Sequence, residues 1–469
     1  MKLKDHKFSY DREKMLTETK GSPSWVHFGC GNIFRALPAR CAETLLEQGL
    51  TKTGIIAVEG YDEEIVEKIY RPNNNISLLV TLKANGSSEE TVIGSVAESL
   101  TFNDGERLKQ IFAAPSLAMV SFTITEKGYS SEKYMEQITA LLHARFKSGG
   151  GPVAMISMDN CSNNGDVLKA AVSKAAEKYG DSGFVSYIEG LSFPLTMIDK
   201  ITPRPDAAIA EALTNEGWED MRPIVTEKST YIAPFVNAEE CEYLVIEDDF
   251  PNGRPCLEKG GIIFTDRQTV IRCEKMKVGA CLNPLHTALA VFGCLLGFDK
   301  IAGEMADEDL RRLAEGVGAE GLPAVENPGV LSPEKFIADV LTRRLLSPHI
   351  PDSPRRIATD TSQKIPVRFG GTLKYYGEKA AGLTFIPLAI AGWLRYLNGI
   401  DDSGNKFDLS PDPLLSELTG KTPEEILKMK DIFAVDLYEI GLAEKILDYY
   451  SKLSQGVGSV RRTLHEKLY

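Results

Sequence analysis

"WVHFGCGNIFRA", residues 25–36, runs an apolar segment into a glycine, repeats glycine two places later and then takes on helical composition. The apolar part reads as a buried strand, and "RALPARCAETLLEQG" (35–49) as the helix that follows it. A second apolar run, "GIIAVEG" (54–60), comes next. Gly29 and Gly31 thus stand between a strand and a helix, where glycines permit a tight turn and let backbone amides approach a pyrophosphate at the helix N-terminus. The third glycine of GxGxxG is missing, since Phe34 takes its place. Glu59 closes the second run where an acidic side chain accepts ribose hydroxyls. Its charge would repel a 2′-phosphate, so the pattern points to NAD over NADP. A plain structural strand turn would use the same glycines, and on this stretch alone that alternative stays open.

Outward from this unit, "LAMVSFTIT" (117–125) and "GPVAMISMD" (151–159) are further near-continuous apolar runs, the mark of strands buried on both faces. Their alternation with helical stretches predicts a mainly parallel sheet with right-handed crossovers. "YLVIEDDF" (243–250) and "GIIFTDR" (261–267) add later strands, read as antiparallel. From about residue 272 the chain reads as helices: "HTALAVFGCLLG", "DEDLRRLAEGVGAE", "PEKFIADVLTRRLL", "LTFIPLAIAGWLRYL", "PEEILKMKDIFA" and "AEKILDYYSKLSQGV". The expectation is an α/β domain over 1–271 and a mainly α-helical domain over 272–469. "KMKVGACLNPLH" (275–286) falls at the junction, and ligand sites are common at such places.

A chain of 469 residues makes two domains the default. The net charge of −13, with no basic block, argues against nucleic acid or an anionic membrane as partner. An anionic substrate would need a local cluster of Lys and Arg. "MKLKDHKFSYDREKM" lacks the apolar core of a signal peptide. No stretch reads as the ~18 to 20 apolar residues of a spanning helix. The eight cysteines are scattered without a CxxC pair, which fits reduced thiols of a cytoplasmic protein and argues against a structural zinc site.

Four segments together carry a resemblance to a known family. "GCGNIFRA" (29–36) resembles a GxGNFHRA cofactor turn, with Phe34 in place of His; "TITEKGY" (123–129) is similar to TVTEKGY; "SMDNCSNNGDVL" (157–168) to SCDNLPHNG; and "FPLTMIDKITP" (193–203) to FPNSMVDRITP. In this order they identify the chain as a member of the polyol-specific long-chain dehydrogenase/reductase family. The resemblance implies a Rossmann-like first domain, a helical second domain, NAD(P) dependence, which Glu59 narrows to NAD, and no metal. It places Gly29, Gly31, Asn32, Ile33, Glu59, Thr125 and Glu126 at the cofactor. The family's chemical strip falls on Glu274, Lys277, Asn283 and His286, its oxyanion asparagine on Asn160 and its buried aspartate on Asp199. Arg356 and Lys364 match the pair that holds substrate hydroxyls. These roles suit hydride transfer at a secondary alcohol: a lysine moves the hydroxyl proton, and amides donate to the developing alkoxide. "CLNPLHTAL" leans toward a hexuronate, the D-fructuronate/D-mannonate couple, with Lys200 and Arg368 as charge for its carboxylate. Mannitol or another polyol, or tagaturonate, is the alternative. The partner expected is this small molecule, the protein itself a monomer or small homo-oligomer.

One departure bears on the strip. The family usually has four residues between Lys and Asn, and here there are five, "VGACL". On a regular helix at ~100° per residue Lys277 and His286 would point to roughly opposite sides, whereas the shorter spacing sets them ~80° apart. Gly279 and Pro284 favour a bulge or break across 279–283 that absorbs the extra residue. Lys275 is the fallback for the catalytic lysine. Blander readings are a solvated Lys277, a core-bonded His286, an N-capping Asn283, an Asp159 that caps its turn, and surface charge at Arg356 and Lys364. From other classes, a zinc alcohol dehydrogenase lacks the ligand spacing, and an inactive NAD sensor would lack the strip.

Overall fold

Five strands carry the near-continuous apolar runs of the first half: β1 (Trp25–Phe28), β2 (Ile55–Glu59), β3 (Val96–Thr101), β4 (Met119–Phe122) and β5 (Ala154–Ser157). In the computed structural model, which describes residues 1–469, they pair parallel throughout in the order β3-β2-β1-β4-β5. Alternate side chains enter two different cores. Trp25, Ile55, Ala57, Met119 and Ala154 face one; Val26, Ile56, Val58, Val120 and Met155 face the other. A strand covered on both sides has no polar face, which is why these runs lack alternation. Helix Pro38–Glu47 covers the first face with Ala39, Cys41 and Leu45, while Gly105–Ala113 and Glu132–Lys147 cover the second. The strand order reverses between β1 and β4, so a ligand crevice is expected at their carboxyl ends.

Two three-stranded sheets and a two-stranded one, Ile224–Val225 with Tyr231–Ile232, complete this part. Ser77–Leu82 and Ser88–Ile93 form a hairpin joined in parallel by Phe235–Glu239. Thr196–Asp199, Tyr243–Glu247 and Ile263–Thr265 form the other. The expectation of antiparallel later strands holds for Tyr243–Glu247 against Thr196–Asp199 and fails for Ile263–Thr265, which runs parallel to Tyr243–Glu247. The connection between the latter two is long enough, with its 3-10 turn Leu257–Gly260, to return the chain in the same direction.

The chain divides into two compact units, Met1–Lys83 with Ser87–Ile271, and Ala84–Gly86 with Arg272–Tyr469. The second is helical. Its centre is Asn283–Leu296, buried along nearly its whole length and packed against Glu308–Gly321 and Phe385–Tyr396. Close approach depends on small residues: a Cβ on Gly392 would lie 2.6 Å from the Phe292 ring, and one on Gly316 2.0 Å from Phe385. Two expected helices are interrupted. Pro333–Asp339 passes into a wide π-turn, Val340–Arg344, and the segment from Pro423 splits into Pro423–Leu427 and Lys430–Phe433. The expectation that no segment is apolar enough to span a membrane is corrected: the helical run Arg267–Leu296 has the length and hydropathy. Since 78% of its apolar window is buried inside the fold, a core helix accounts for that composition.

Candidate active site

The turn after β1 has its backbone held on nearly every side. Gly29 N donates to Val58 O (2.9 Å), and Gly29 O accepts from Thr123 Oγ1 (3.1 Å). Cys30 N donates to Glu59 Oε2 (2.9 Å), Cys30 O accepts from the Tyr70 hydroxyl (3.0 Å), and Gly31 O accepts from Arg35 N. The Gly31 N–H is the polar group of the turn outside this set. Gly29 has φ +102°, and a Cβ there would lie 2.5 Å from Thr123 O, so glycine is required by the protein itself. Gly31 differs. Its φ of −77° suits any residue and a Cβ would enter open space. A ligand drawn close to the backbone gives that glycine a reason, and the exposed amide side of such a turn suits a pyrophosphate.

Glu59 ends β2 beside this turn, yet its engagement differs from the expected one. Its carboxylate accepts from the amides of Cys30, Tyr61 (2.8 Å) and Asp62 (3.2 Å). Burial pushes its pKa up and these amides pull it down. With three of about four acceptor positions filled, Glu59 first of all fixes the turn. Asn32 binds Pro203 O and the Arg35 guanidinium, and Ile33 packs on the core. Thr125 and Glu126 lie exposed after β4, at the start of a short helix.

After β5 the chain presents Asn160 at the surface, next to a buried Asp159. Asp159 accepts from the Tyr129 hydroxyl and from Cys161 N (3.0 Å), so it does close its turn. Asn164, which the motif reading passed over, clamps this loop. Its amide donates to Thr196 Oγ1 (2.9 Å) and Asp159 O (3.2 Å), and its carbonyl accepts from Thr196 N (3.1 Å) and Gly165 N (2.9 Å). The loop bearing Asn160 is thereby tied to the strand that ends in buried Asp199. The only sequence signal was the Asn-Gly pair itself. Lys200 is corrected as a substrate contact. Its side chain is 2% exposed, and its ammonium donates to Glu239 O (2.7 Å) and pairs with Glu242 (2.8 Å). An ammonium buried on those partners is part of the fold.

In the second unit the strip is broken in the way its spacing required. Helix Arg267–Met276 gives way to a π-turn over Lys277–Cys281, closed by Leu282 N to Lys277 O (3.1 Å); Leu282 then leaves helical geometry, and a new helix starts at Asn283 with Pro284 in its first turn. A π-turn takes up one residue more than an α-turn. On ideal geometry this returns Lys277 and His286 to the ~80° separation of the shorter spacing. Lys275 is exposed, while Glu274 and Lys277 are half-buried and His286 is buried. Asn283 is not the N-cap; that position is Leu282.

Helix Thr361–Arg368 packs against both the π-turn and the helix after it, with Val367 O 3.7 Å from where a Cβ of Gly279 would be. Arg368 donates to Thr287 Oγ1 (2.6 Å) and Asn283 O (3.3 Å), and burial lowers its pKa to about 10. Lys364 donates to the carbonyls of Ile357 (3.0 Å) and Thr359; burial, with the Arg368 charge second, lowers its pKa to about 8. Arg356 lies on the preceding short helix, 63% exposed and paired with Asp352. Arg356 and Lys364 thus stand on successive short helices joined through Asp360, whose left-handed backbone caps the second, and the Arg356 charge also lowers the Lys364 pKa. Lys364 and Arg368, one turn apart on one helix, form the concentrated positive charge.

A parallel sheet with a glycine turn at its switch point, followed by a helical unit, defines a two-unit protein of the Rossmann type. Comparison with known proteins gives the family. The sequence model of the mannitol dehydrogenase Rossmann domain matches residues 23–259, and that of the mannitol dehydrogenase C-terminal domain residues 270–454. The chain belongs to the mannitol dehydrogenase family. It is 46% identical to a D-mannonate oxidoreductase of Thermotoga maritima over 97% of this chain and 94% of that one. It is 30% identical to a D-mannonate oxidoreductase of Escherichia coli, covering 88% and 91%. Among solved structures, a substrate-free D-sorbitol dehydrogenase superposes with a TM-score of 0.84 at 25% identity, over 98% and 96% of the two chains.

Proposed function

We propose that this protein interconverts a hexuronate ketone and its alcohol, the D-fructuronate/D-mannonate couple, with NAD. The observation that carries the reading is the 46% identity, nearly end to end, to a protein named for D-mannonate. The buried positive charge of Lys364 and Arg368 suits a substrate carboxylate, which a polyol lacks. For the dinucleotide, the support is the family's Rossmann domain and a turn whose Gly31 side is open while the rest is tied down. Thr125, Glu126, Asn32 and Ile33 flank that edge as further cofactor contacts.

Bound there, the dinucleotide supplies a hydride acceptor or donor. The chain's residues handle the proton and the charge. Lys277 takes the hydroxyl proton in the oxidative direction and returns it in the reductive one, with Glu274 passing it toward solvent. Asn283 donates to the oxygen as it gains charge, a contribution of ~3 kcal/mol for a well-placed donor. By the family motifs, Asn160 is a further oxyanion donor, Asp199 orients a neighbouring donor, His286 orients the substrate, and Arg356 and Lys364 hold its hydroxyls.

Steady-state rates with D-mannonate and with D-mannitol, each with NAD, test the assignment. Turnover on D-mannonate at least ~100-fold more efficient than on D-mannitol is expected, since the wrong substrate leaves a buried cation unpaired. The opposite ranking selects a polyol dehydrogenase, and failure of both points to tagaturonate or another acid. In the same assay Lys277→Ala should lower kcat by ~10² to 10⁴, the usual size of general acid–base catalysis, with NADH still bound. Near-normal turnover would remove the lysine from the mechanism.

A further inference from the structure

Beneath the glycine turn lies a file of polar side chains with no place in the proton chemistry above. Trp25 Nε1 contacts Ser121 Oγ (2.7 Å), Ser121 Oγ contacts His27 Nδ1 (2.7 Å), His27 Nε2 contacts Thr123 Oγ1 (2.8 Å), and Thr123 Oγ1 contacts Gly29 O (3.1 Å). Trp25, His27 and Ser121 are buried in the sheet, and the His27 ring stacks on Phe34 at 4.1 Å.

The two ends give the file a direction. An indole nitrogen can only donate and a carbonyl can only accept. Thr123 has one proton, and it goes to Gly29 O, so Thr123 must accept from His27 Nε2–H. A neutral imidazole then offers Nδ1 as acceptor, which takes the Ser121 proton, and Ser121 accepts from Trp25. Every donor and acceptor is satisfied in one sense only, which assigns the Nε2–H tautomer to His27. Thr123 also walls Gly29, whose Cβ position lies 2.5 Å from Thr123 O.

We infer that the Trp25–Ser121–His27–Thr123 file is the positioning device of the cofactor turn, fixing the Gly29 carbonyl so that the Gly31 amide is presented to the dinucleotide phosphates. This rests on the reading that the turn binds NAD. Thr123 and His27 are positioning residues that act through Gly29.

The test is NADH titration by fluorescence together with steady-state kinetics on Thr123→Val, Thr123→Ser and Ser121→Ala. Thr123→Val removes the hydroxyl that bonds both Gly29 O and His27 Nε2, leaving that carbonyl to the imidazole alone, and should raise the Kd for NADH and the KM for NAD about tenfold, with a smaller change in kcat and none in KM for the sugar acid. Thr123→Ser keeps the hydroxyl and should bind like the wild type. Ser121→Ala cuts the file one step deeper and should weaken binding in the same direction. Should Thr123→Val not fold, Ser121→Ala against Thr123→Ser decides the matter. Unchanged NADH affinity in the folded Thr123→Val or in Ser121→Ala, or a Thr123→Ser as impaired as Thr123→Val, overturns the device alone. A wild-type protein that binds no NADH overturns both the device and the NAD reading.

Discussion

Lys364 shows how one residue's chemistry depends on its surroundings. In the sequence it is an ordinary lysine eight positions after an arginine; in the fold it is half-buried, two carbonyls hold its ammonium, and its pKa falls to about 8. The ammonium is therefore present at pH 7 and largely lost by pH 9. If it faces an anionic substrate, KM for D-mannonate should rise several-fold, roughly in proportion to the charge lost, between pH 7 and 9. Lys364→Met should have a high KM that no longer changes over that range, as measured by initial rates at each pH. A flat wild-type KM would detach Lys364 from the substrate. Lys200, by contrast, lies within a family motif, and its ammonium is buried on Glu239 O and Glu242. Such a distinction depends on which groups the fold brings beside each lysine.

At the scale of elements the decisive feature is the π-turn Lys277–Cys281. The extra residue, Gly279 and Pro284 together made an interruption legible in advance. Its form, one wide turn followed by a break at Leu282, came from the packing of helix Thr361–Arg368 and helix Glu308–Gly321 around it. If the turn does no more than absorb one residue, deleting Gly279 should convert it into regular helix and keep turnover within about tenfold, because the ~100° per residue count then still sets Lys277 and His286 ~80° apart. Circular dichroism would check that the helix persists and kcat would check the strip. A folded deletion variant with kcat down ~10³-fold would show that the wide turn itself aims the side chains. The Arg356–Lys364 spacing is met differently: the interval runs over two short helices joined through the left-handed Asp360, and the two charges still act on each other.

For the whole molecule, stability should be bounded in pH by two buried groups. His27 is neutral in the fold, its pKa lowered to about 3 by burial, against about 6.5 when unfolded. As pH falls from 6.5 toward 3 the unfolded chain gains a proton that the fold refuses, so stability drops by up to ~1.4 kcal/mol per pH unit from this group. Glu304 acts in the other direction. Neither carboxyl oxygen has a hydrogen-bond partner, Gly293 leaves the space it occupies, and burial holds its pKa well above the usual range. As pH rises above 4.5 the unfolded chain ionises while the fold keeps the proton, and stability declines. Glu304→Gln should therefore gain urea resistance over the wild type, and more at pH 8 than at pH 5. An equal gain at both would mean that the buried group ionises against a partner.

Apolar periodicity, the paired glycines and the order of four short motifs were enough to establish the parallel α/β unit, the helical unit and the family, because each is written in local, closely spaced residues. Which polar side chains are available for chemistry was decided only by tertiary structure. Glu59 turned onto three amides, Lys200 onto Glu242, Asn164 onto Thr196, and His27 between Ser121 and Thr123, since most buried polar groups find partners and those partners come from distant parts of the chain.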